Sequence, residues 1–230
     1  MRFLAALALL ALSSACLPGR GAGARHVVVI DPGHPSETAA GNVVQNGTTE
    51  VHIAWVVSLS LRDELRERGF DVLLTKQSES ELVTNKERAE IGNRANAMVM
   101  VRLHCDASTD SGFAVYYPDR QGSVDGVTGP SDEVITSSRT AAQTIHAAMS
   151  AILGGSLKDG GVRGDSRTLV GSRQGALTGS IYSRIPAVLV EMVTLSNARD
   201  AAFIRSDDGQ RLMARAIADG IANVPNALRP

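Results

Sequence analysis

Short apolar runs alternate along the chain with longer segments in which apolar residues recur every three or four positions. The first run, His26 to Asp31, has the pattern of a buried strand and ends at the turn Pro32-Gly33. From Glu50 to Arg68 apolar residues recur at i,i+4 spacing, and Gly69 follows as a helix stop signal. This alternation is typical of βαβ units, so we predict an α/β fold built on a mostly parallel sheet.

The same alternation continues to the end of the chain. A strand is predicted from Phe70 to Thr75, and a helix from Thr84 to Ala97 opens with Thr84 and Glu87 in the spacing of a capping box. The other predicted elements are strands at 98–103, 112–117 and 187–190, a helix with an apolar stripe from Val134 to Ile152, and a last helix after the cap Ser206. We interpret Arg120 to Pro130 as a linker.

The first 15 residues have the pattern of an export signal. A cation at Arg2, an apolar run too short to span a membrane and small residues at Ser13 and Ala15 predict a signal peptide over residues 1–15. We therefore expect the protein in the periplasm or cell envelope. Cleavage after Ala15 would leave Cys16 first, as in bacterial lipoproteins. Two hypotheses stay open for the linker at 16–25: a lipid on Cys16 that attaches the protein to the membrane, or a plain secretory leader.

Composition narrows the class of protein further. With 230 residues, of which 43% are hydrophobic and 20% charged, the chain fits a single globular domain, which we place at 26–225 and expect to be a monomer. A net charge of -1 and 3% aromatic residues argue against a nucleic-acid surface. Of two cysteines, Cys105 has no partner once Cys16 belongs to the leader. We expect it to be a buried hydrophobic residue, because it faces away from its strand neighbour His104.

Candidate chemical groups fall where the predicted strands end. His34 follows the first strand, His104 ends the third, and Glu191 ends the last apolar strand. The carboxyl ends of strands in an open α/β sheet share one edge, and Glu50 follows a loop that leaves the same edge. Two imidazoles and a carboxylate with an open fourth position are typical of catalytic zinc, and a second carboxylate can transfer the proton. We predict a metal site formed by His34, His104 and one of the carboxylates Glu50 and Glu191, with the other carboxylate transferring the proton.

Each of these residues also has a structural interpretation. A histidine after a strand often only bonds to backbone, Glu50 could favour the helix macrodipole, and Glu191 could accept backbone N–H groups. The convergence of all four residues at equivalent strand ends favours a site. His52 lies about 200° around the helix from Glu50, so we do not expect it to share a metal with that residue.

Four ordered motifs resemble the zinc-dependent N-acetylmuramoyl-L-alanine amidases that cut peptidoglycan. VVVIDPGH resembles the family's opening strand with the first metal ligand, and GTTE and VRLHCDAS resemble the segments with the second and third ligands. PAVLVEMVTLSN resembles the closing motif with the catalytic carboxylate. The resemblance therefore implies that the metal ligands are His34, Glu50 and His104, and that the catalytic residue is Glu191. The segments LRDELRERGFDVLLTK and NKERAEIGNRANA resemble the family's intervening elements. The chain departs from the family at Pro35-Ser36, where Gly-Gly is usual, and at Cys105-Asp106, where Ala-Asn is common.

This resemblance implies a twisted six-stranded sheet flanked by helices, and hydrolysis of the amide between N-acetylmuramic acid and L-alanine. The cofactor it implies is Zn²⁺ and the partner is peptidoglycan. Two alternatives remain: a zinc peptidase or deacylase acting on another peptidoglycan bond, and a non-catalytic wall-binding module. Some family members carry a helix that plugs the zinc site. The corresponding connection here, Asp119 to Ser131, is short and glycine-rich, so we expect an open site without an activator.

Overall fold

A computed structural model describes residues 26–38 and 40–224. The predicted signal peptide and the linker with Cys16 lie outside these residues. In the described part of the chain, no helix has the length and apolar character needed to cross a membrane.

A six-stranded sheet forms the centre of the fold, with strand order β2-β1-β3-β8-β4-β7. Every pairing in it is parallel except β4 with β8, which is antiparallel. The predicted mostly parallel sheet is therefore confirmed. The strands are β1 (Val27–Pro32), β2 (Asp71–Leu74), β3 (Val99–Asp106), β4 (Phe113–Tyr117), β7 (Asp159–Gly164) and β8 (Ala187–Thr194), and a separate hairpin consists of β5 (Gly122–Val124) and β6 (Val127–Gly129).

Seven helices flank the sheet in the described residues. Three of them, α1, α3 and α7, are amphipathic and supply most of the helical side chains in the main core. The bounds are α1 (Glu50–Glu67), α2 (Asn85–Arg94), α3 (Asp132–Leu153), α4 (Gly171–Gln174), α5 (Thr178–Ile181), α6 (Ala198–Arg205) and α7 (Asp207–Ala222). The caps predicted for α2 and α7 are confirmed: Thr84 and Glu87 form a capping box, and the Ser206 hydroxyl accepts a hydrogen bond from the backbone of Gly209.

The two faces of the sheet have different cores, and this difference positions the site. Val28 and Ile30 of β1 belong to the large core, whereas Val29 belongs to a smaller cluster with Met100 and Ala187 on the opposite face. Because side chains alternate along a strand, every second residue after Met100 in β3 and after Ala187 in β8 points to this same face. That face is left partly open at the carboxyl ends of the strands, where a cleft of about 440 Å³ is found.

Two segments differ from the sequence prediction. The segment that we interpreted as a linker forms the β5–β6 hairpin, whose turn residues Asp125 and Gly126 both have positive φ. It packs closely on the short helices, since a Cβ on Gly129 would lie 2.3 Å from the backbone oxygen of Ile181. The glycine-rich stretch before β8 contains the edge strand β7, which was not predicted. Both are held by backbone pairing rather than by an apolar side-chain pattern.

Candidate metal centre

Two rows of residues run across the sheet at its carboxyl edge. In the first row Asp31 of β1 pairs with Arg102 of β3, which pairs in turn with Leu189 of β8. In the second row His104 of β3 pairs with Glu191 of β8. All of these except Asp31 line the cleft on the smaller-cluster face.

His34, Glu50 and His104 form a compact cluster at the end of this cleft. Their potential ligand atoms all lie within 4.8 Å of one another. The Glu50 Oε1 atom is 2.8 Å from Nδ1 of His104 and 3.5 Å from Nε2 of His34. Zinc bonds of about 2.0–2.1 Å in a tetrahedron separate the ligand atoms by about 3.3 Å, so these contacts match the edges of such a site. The three side chains therefore fit a zinc ion.

The electrostatics of the cluster favour the protonation states that a metal ion requires. Burial alone would raise the pKa of Glu50, but hydrogen bonds and charge from His104 and His34 hold it well below its usual range. Burial lowers the pKa of His104. Ligands must be deprotonated to bind, so an ionised glutamate and a neutral imidazole are ready to do so.

Glu191 is a partly buried residue whose carboxylate has one buried, unused oxygen. Its Oε2 atom has no hydrogen-bond partner among the described residues. Burial, together with the charges of Glu50 and Asp106, raises the pKa of Glu191 well above its usual value. A carboxylate with a raised pKa in a cleft is better suited to accept and return a proton than one with the ordinary value.

Two glycines that sequence reasoning did not select make room for the imidazole rings. A Cβ on Gly33 would lie 2.6 Å from Cε1 of His104, and one on Gly41 would lie 2.6 Å from Cδ2 of His34. Gly41 also has φ of +86°, which L side chains rarely adopt. The backbone thus packs directly against both rings and fixes their positions. The only signal for them in the sequence is the glycine of DPGH, which by itself indicates a turn.

Buried cations hold the loop that carries His34, which itself has a positive φ of 50°. Arg88 donates to the carbonyl oxygens of Pro32 and Pro35, at 2.6 and 2.8 Å, and pairs with Asp31. Lys76 donates to the carbonyl oxygen of His34, and burial lowers its pKa to about 8. These bonds stabilise an unfavourable backbone conformation at a candidate ligand. Sequence reasoning did not identify either cation.

Other candidate residues lie outside the cluster or have other partners. His52 is half exposed and pairs with Glu79, consistent with its predicted exclusion. Glu37 is a second carboxylate that lines the cleft, but both of its oxygens accept hydrogen bonds from Asn85 and its pKa is lowered. Such a carboxylate is a weaker base than Glu191.

Cys105 is buried and free, as the sequence predicted. It belongs to the large core on the face opposite His104, and burial together with the charges of Glu50 and Glu191 raises the pKa of its thiol well above the usual value. A thiol with a raised pKa is a poor nucleophile.

We therefore expect Cys105→Ala to retain chelator-sensitive activity and to lose about 1 kcal/mol of unfolding free energy, because only a small buried side chain is removed. Denaturant melts and turnover assays with and without chelator would measure both effects. If alkylation of the folded wild-type protein abolished activity without releasing zinc, the thiol would take part in the chemistry.

Two histidines and a glutamate beside a buried carboxylate, at the carboxyl edge of a parallel sheet, are an arrangement typical of metal-dependent hydrolases. Comparison with known proteins narrows this class. Residues 28–223 match the family model described as N-acetylmuramoyl-L-alanine amidase. The chain belongs to this family, and the resemblance found in its sequence motifs is confirmed.

Individual relatives support the same assignment. The chain is 26% identical over 235 residues to N-acetylmuramoyl-L-alanine amidase AmiC of Neisseria meningitidis serogroup B, covering 91% of this chain and 55% of the relative. It is 27% identical over 124 residues to the amidase AmiA of Escherichia coli, covering 46% of this chain and 42% of the relative. The chain thus spans about half the length of these two relatives.

A solved structure is similar over nearly the whole domain. The catalytic domain of CwlV, an N-acetylmuramoyl-L-alanine amidase from Bacillus (Paenibacillus) polymyxa var. colistinus, superimposes with a TM-score of 0.68 at 26% identity. The match covers 87% of this chain and 99% of that one. The fold predicted from the sequence resemblance is therefore confirmed, whereas the roles of the individual site residues remain predictions.

Proposed function

We propose that this protein is a zinc hydrolase that cleaves the amide between N-acetylmuramic acid and L-alanine in peptidoglycan and releases stem peptides. The observation that carries the proposal is a His–Glu–His cluster that opens onto the same cleft as the partly unpartnered, buried carboxylate of Glu191. Family membership selects the amide bond among the substrates that such a site could hydrolyse.

His34, Glu50 and His104 would hold the metal ion. Zinc, when bound, polarises a carbonyl oxygen and lowers the pKa of water, which makes water a nucleophile near neutral pH. Glu191 would accept the proton of the attacking water at its carboxylate and pass it to the nitrogen of the departing alanine. Without that proton the amine is a poor leaving group.

Peptidoglycan lies outside the cytoplasm, so this activity needs an exported protein. The predicted signal peptide at 1–15 supplies export. A lipid on Cys16 would additionally keep the enzyme at the membrane that faces its substrate.

Mass spectrometry of the products from purified sacculi tests the proposed reaction. An amidase releases peptides that begin with a free L-alanine amine and leaves muramic acid with a free lactyl carboxylate. Cleavage within the peptide would identify a peptidase, and loss of acetyl groups a deacylase. Binding to sacculi without any cleavage would identify a wall-binding module.

We propose further that the cleft is open without an activator. Among the described residues, none that lines the cleft comes from the β5–β6 hairpin. The acidic turn residue of the hairpin, Asp125, accepts a hydrogen bond from the Tyr182 hydroxyl. Asp125→Asn keeps that acceptor and tolerates the positive φ, so we expect sacculus cleavage within about two-fold of wild type, without added proteins. A large activation in a dye-release assay would show that Asp125 inhibits the site.

A further inference from the structure

Arg102 is a buried cation in the cleft wall, and it lies two residues before His104 on the same face of β3. Its side chain is 6% exposed, yet it lines the cleft together with His104 and Glu191. We propose that Arg102 forms a carboxylate subsite, which binds the free α-carboxylate of the second residue in the stem peptide of the substrate. This inference rests on the proposed amidase function and adds a specificity determinant to it.

The hydrogen bonds of Arg102 leave one donor group unused. Its Nε atom donates to Oδ2 of Asp31 at 2.9 Å, and Nη2 donates to Oδ1 of Asn85 at 2.5 Å. Nη1 has no hydrogen-bond partner among the described residues. The guanidinium lies against Gly179, where a Cβ would be 2.8 Å from Nη1, so only glycine leaves this space. A planar guanidinium held at two nitrogens, with a third available, is pre-organised to accept an anion.

Arg88 and Arg102 have only one directly paired carboxylate between them. Arg88 and Arg102 share the single carboxylate of Asp31 and hold its pKa well below the usual range, although burial alone would raise it. Arg88 uses its nitrogens on Asp31 and on backbone carbonyls, so it is committed to the His34 loop. Glu37 contacts the network only through Asn85. Arg102 thus shares its one directly paired carboxylate with Arg88, and its charge also acts on Glu37, Asp165 and Glu191, none of which it hydrogen-bonds.

The spacing of the rows agrees with the spacing of groups in the substrate. Alternate residues of a strand, such as Arg102 and His104, are about 6.6–6.8 Å apart. In an extended peptide, the nitrogen of the first residue and the α-carboxylate of the second are also separated by about 6 Å, since adjacent Cα atoms are 3.8 Å apart. The backbone positions of the two rows are therefore offset by about the distance that separates these two groups along the peptide.

Two matched substrates test this subsite. We would compare N-acetylmuramoyl-L-alanyl peptides that are identical except that the second residue carries a free α-carboxylate or the corresponding carboxamide. The zinc-loaded wild-type enzyme should cleave the carboxylate form with a kcat/KM at least about 10-fold higher, because charge-assisted hydrogen bonds are lost with the amide. The difference should lie mainly in KM.

Variants separate the subsite from a structural role. In Arg102→Gln the ratio of kcat/KM for the carboxylate substrate to kcat/KM for the carboxamide substrate should fall to about one, because KM for the carboxylate substrate rises. Arg102→Lys should keep part of the preference. The matched control is Arg94→Gln, which removes the same charge from an exposed position on α2 and should keep the wild-type ratio. Calorimetric binding of both peptides to Glu191→Gln gives the same comparison without turnover.

The outcomes distinguish this inference from the proposed function. Cleavage of both peptides with equal kcat/KM by the wild-type enzyme would overturn the carboxylate subsite and leave the amidase function standing. Failure to cleave either peptide at the muramoyl amide would overturn the function itself. Because the wild-type comparison needs no variant, the test remains decisive even if Arg102→Gln does not fold. A preference that survives in a folded Arg102→Gln protein would also overturn the subsite.

Discussion

Replacing His34 or His104 with alanine is expected to remove zinc and amide hydrolysis together. The cluster offers three ligand atoms, which are one nitrogen from each of the two imidazole rings and one carboxylate oxygen. With two ligands left, the affinity for zinc should fall below what dialysis retains, whereas the wild-type protein should carry about one zinc per chain. Metal analysis of the dialysed proteins, beside turnover on sacculi, measures both losses.

His52→Ala is the matched control for this experiment. His52 lies only two residues from Glu50 but is half exposed and bonded to Glu79. Its replacement should leave zinc content and turnover unchanged. Full zinc content in both ligand variants would refute the assignment of the cluster as the metal site.

Replacing Glu191 with glutamine is expected to separate catalysis from metal binding. Glutamine keeps the size of the side chain but cannot carry a proton between water and the leaving amine. Turnover should therefore fall by at least about 100-fold while zinc content stays at the wild-type level. The variant should be no less stable than wild type, because a buried carboxylate with an unpartnered oxygen is replaced by a neutral amide.

Glu37→Gln provides the comparison for the second carboxylate of the cleft. Since Asn85 already occupies both of its oxygens, this substitution should lower turnover by less than about 10-fold. If Glu191→Gln turned over at the wild-type rate and Glu37→Gln did not, the base would have to be reassigned to Glu37.

The local elements of the fold were predictable because their signals lie within a few residues of one another. The spacing of apolar residues marked α1, and the pair Thr84 and Glu87 marked the start of α2. Three strands escaped prediction, for two different reasons. The edge strand β7 is rich in glycine and is held by backbone bonds to β4, so its sequence has no apolar alternation. The β5–β6 hairpin did contain the turn signal Asp125-Gly126, but its flanking strands are only three residues long.

The sequence alone determined the α/β class and the convergence of His34, Glu50, His104 and Glu191, because the ends of parallel strands meet at one edge whatever lies between them. Tertiary structure alone decided how deeply each group is buried and what it contacts. The buried pairing of Asp31 with Arg88 and Arg102, and the close approach of Gly33 and Gly41 to the imidazole rings, join residues far apart in the chain. Burial and pairing set the pKa values of the site, and no pattern within a short segment encodes them.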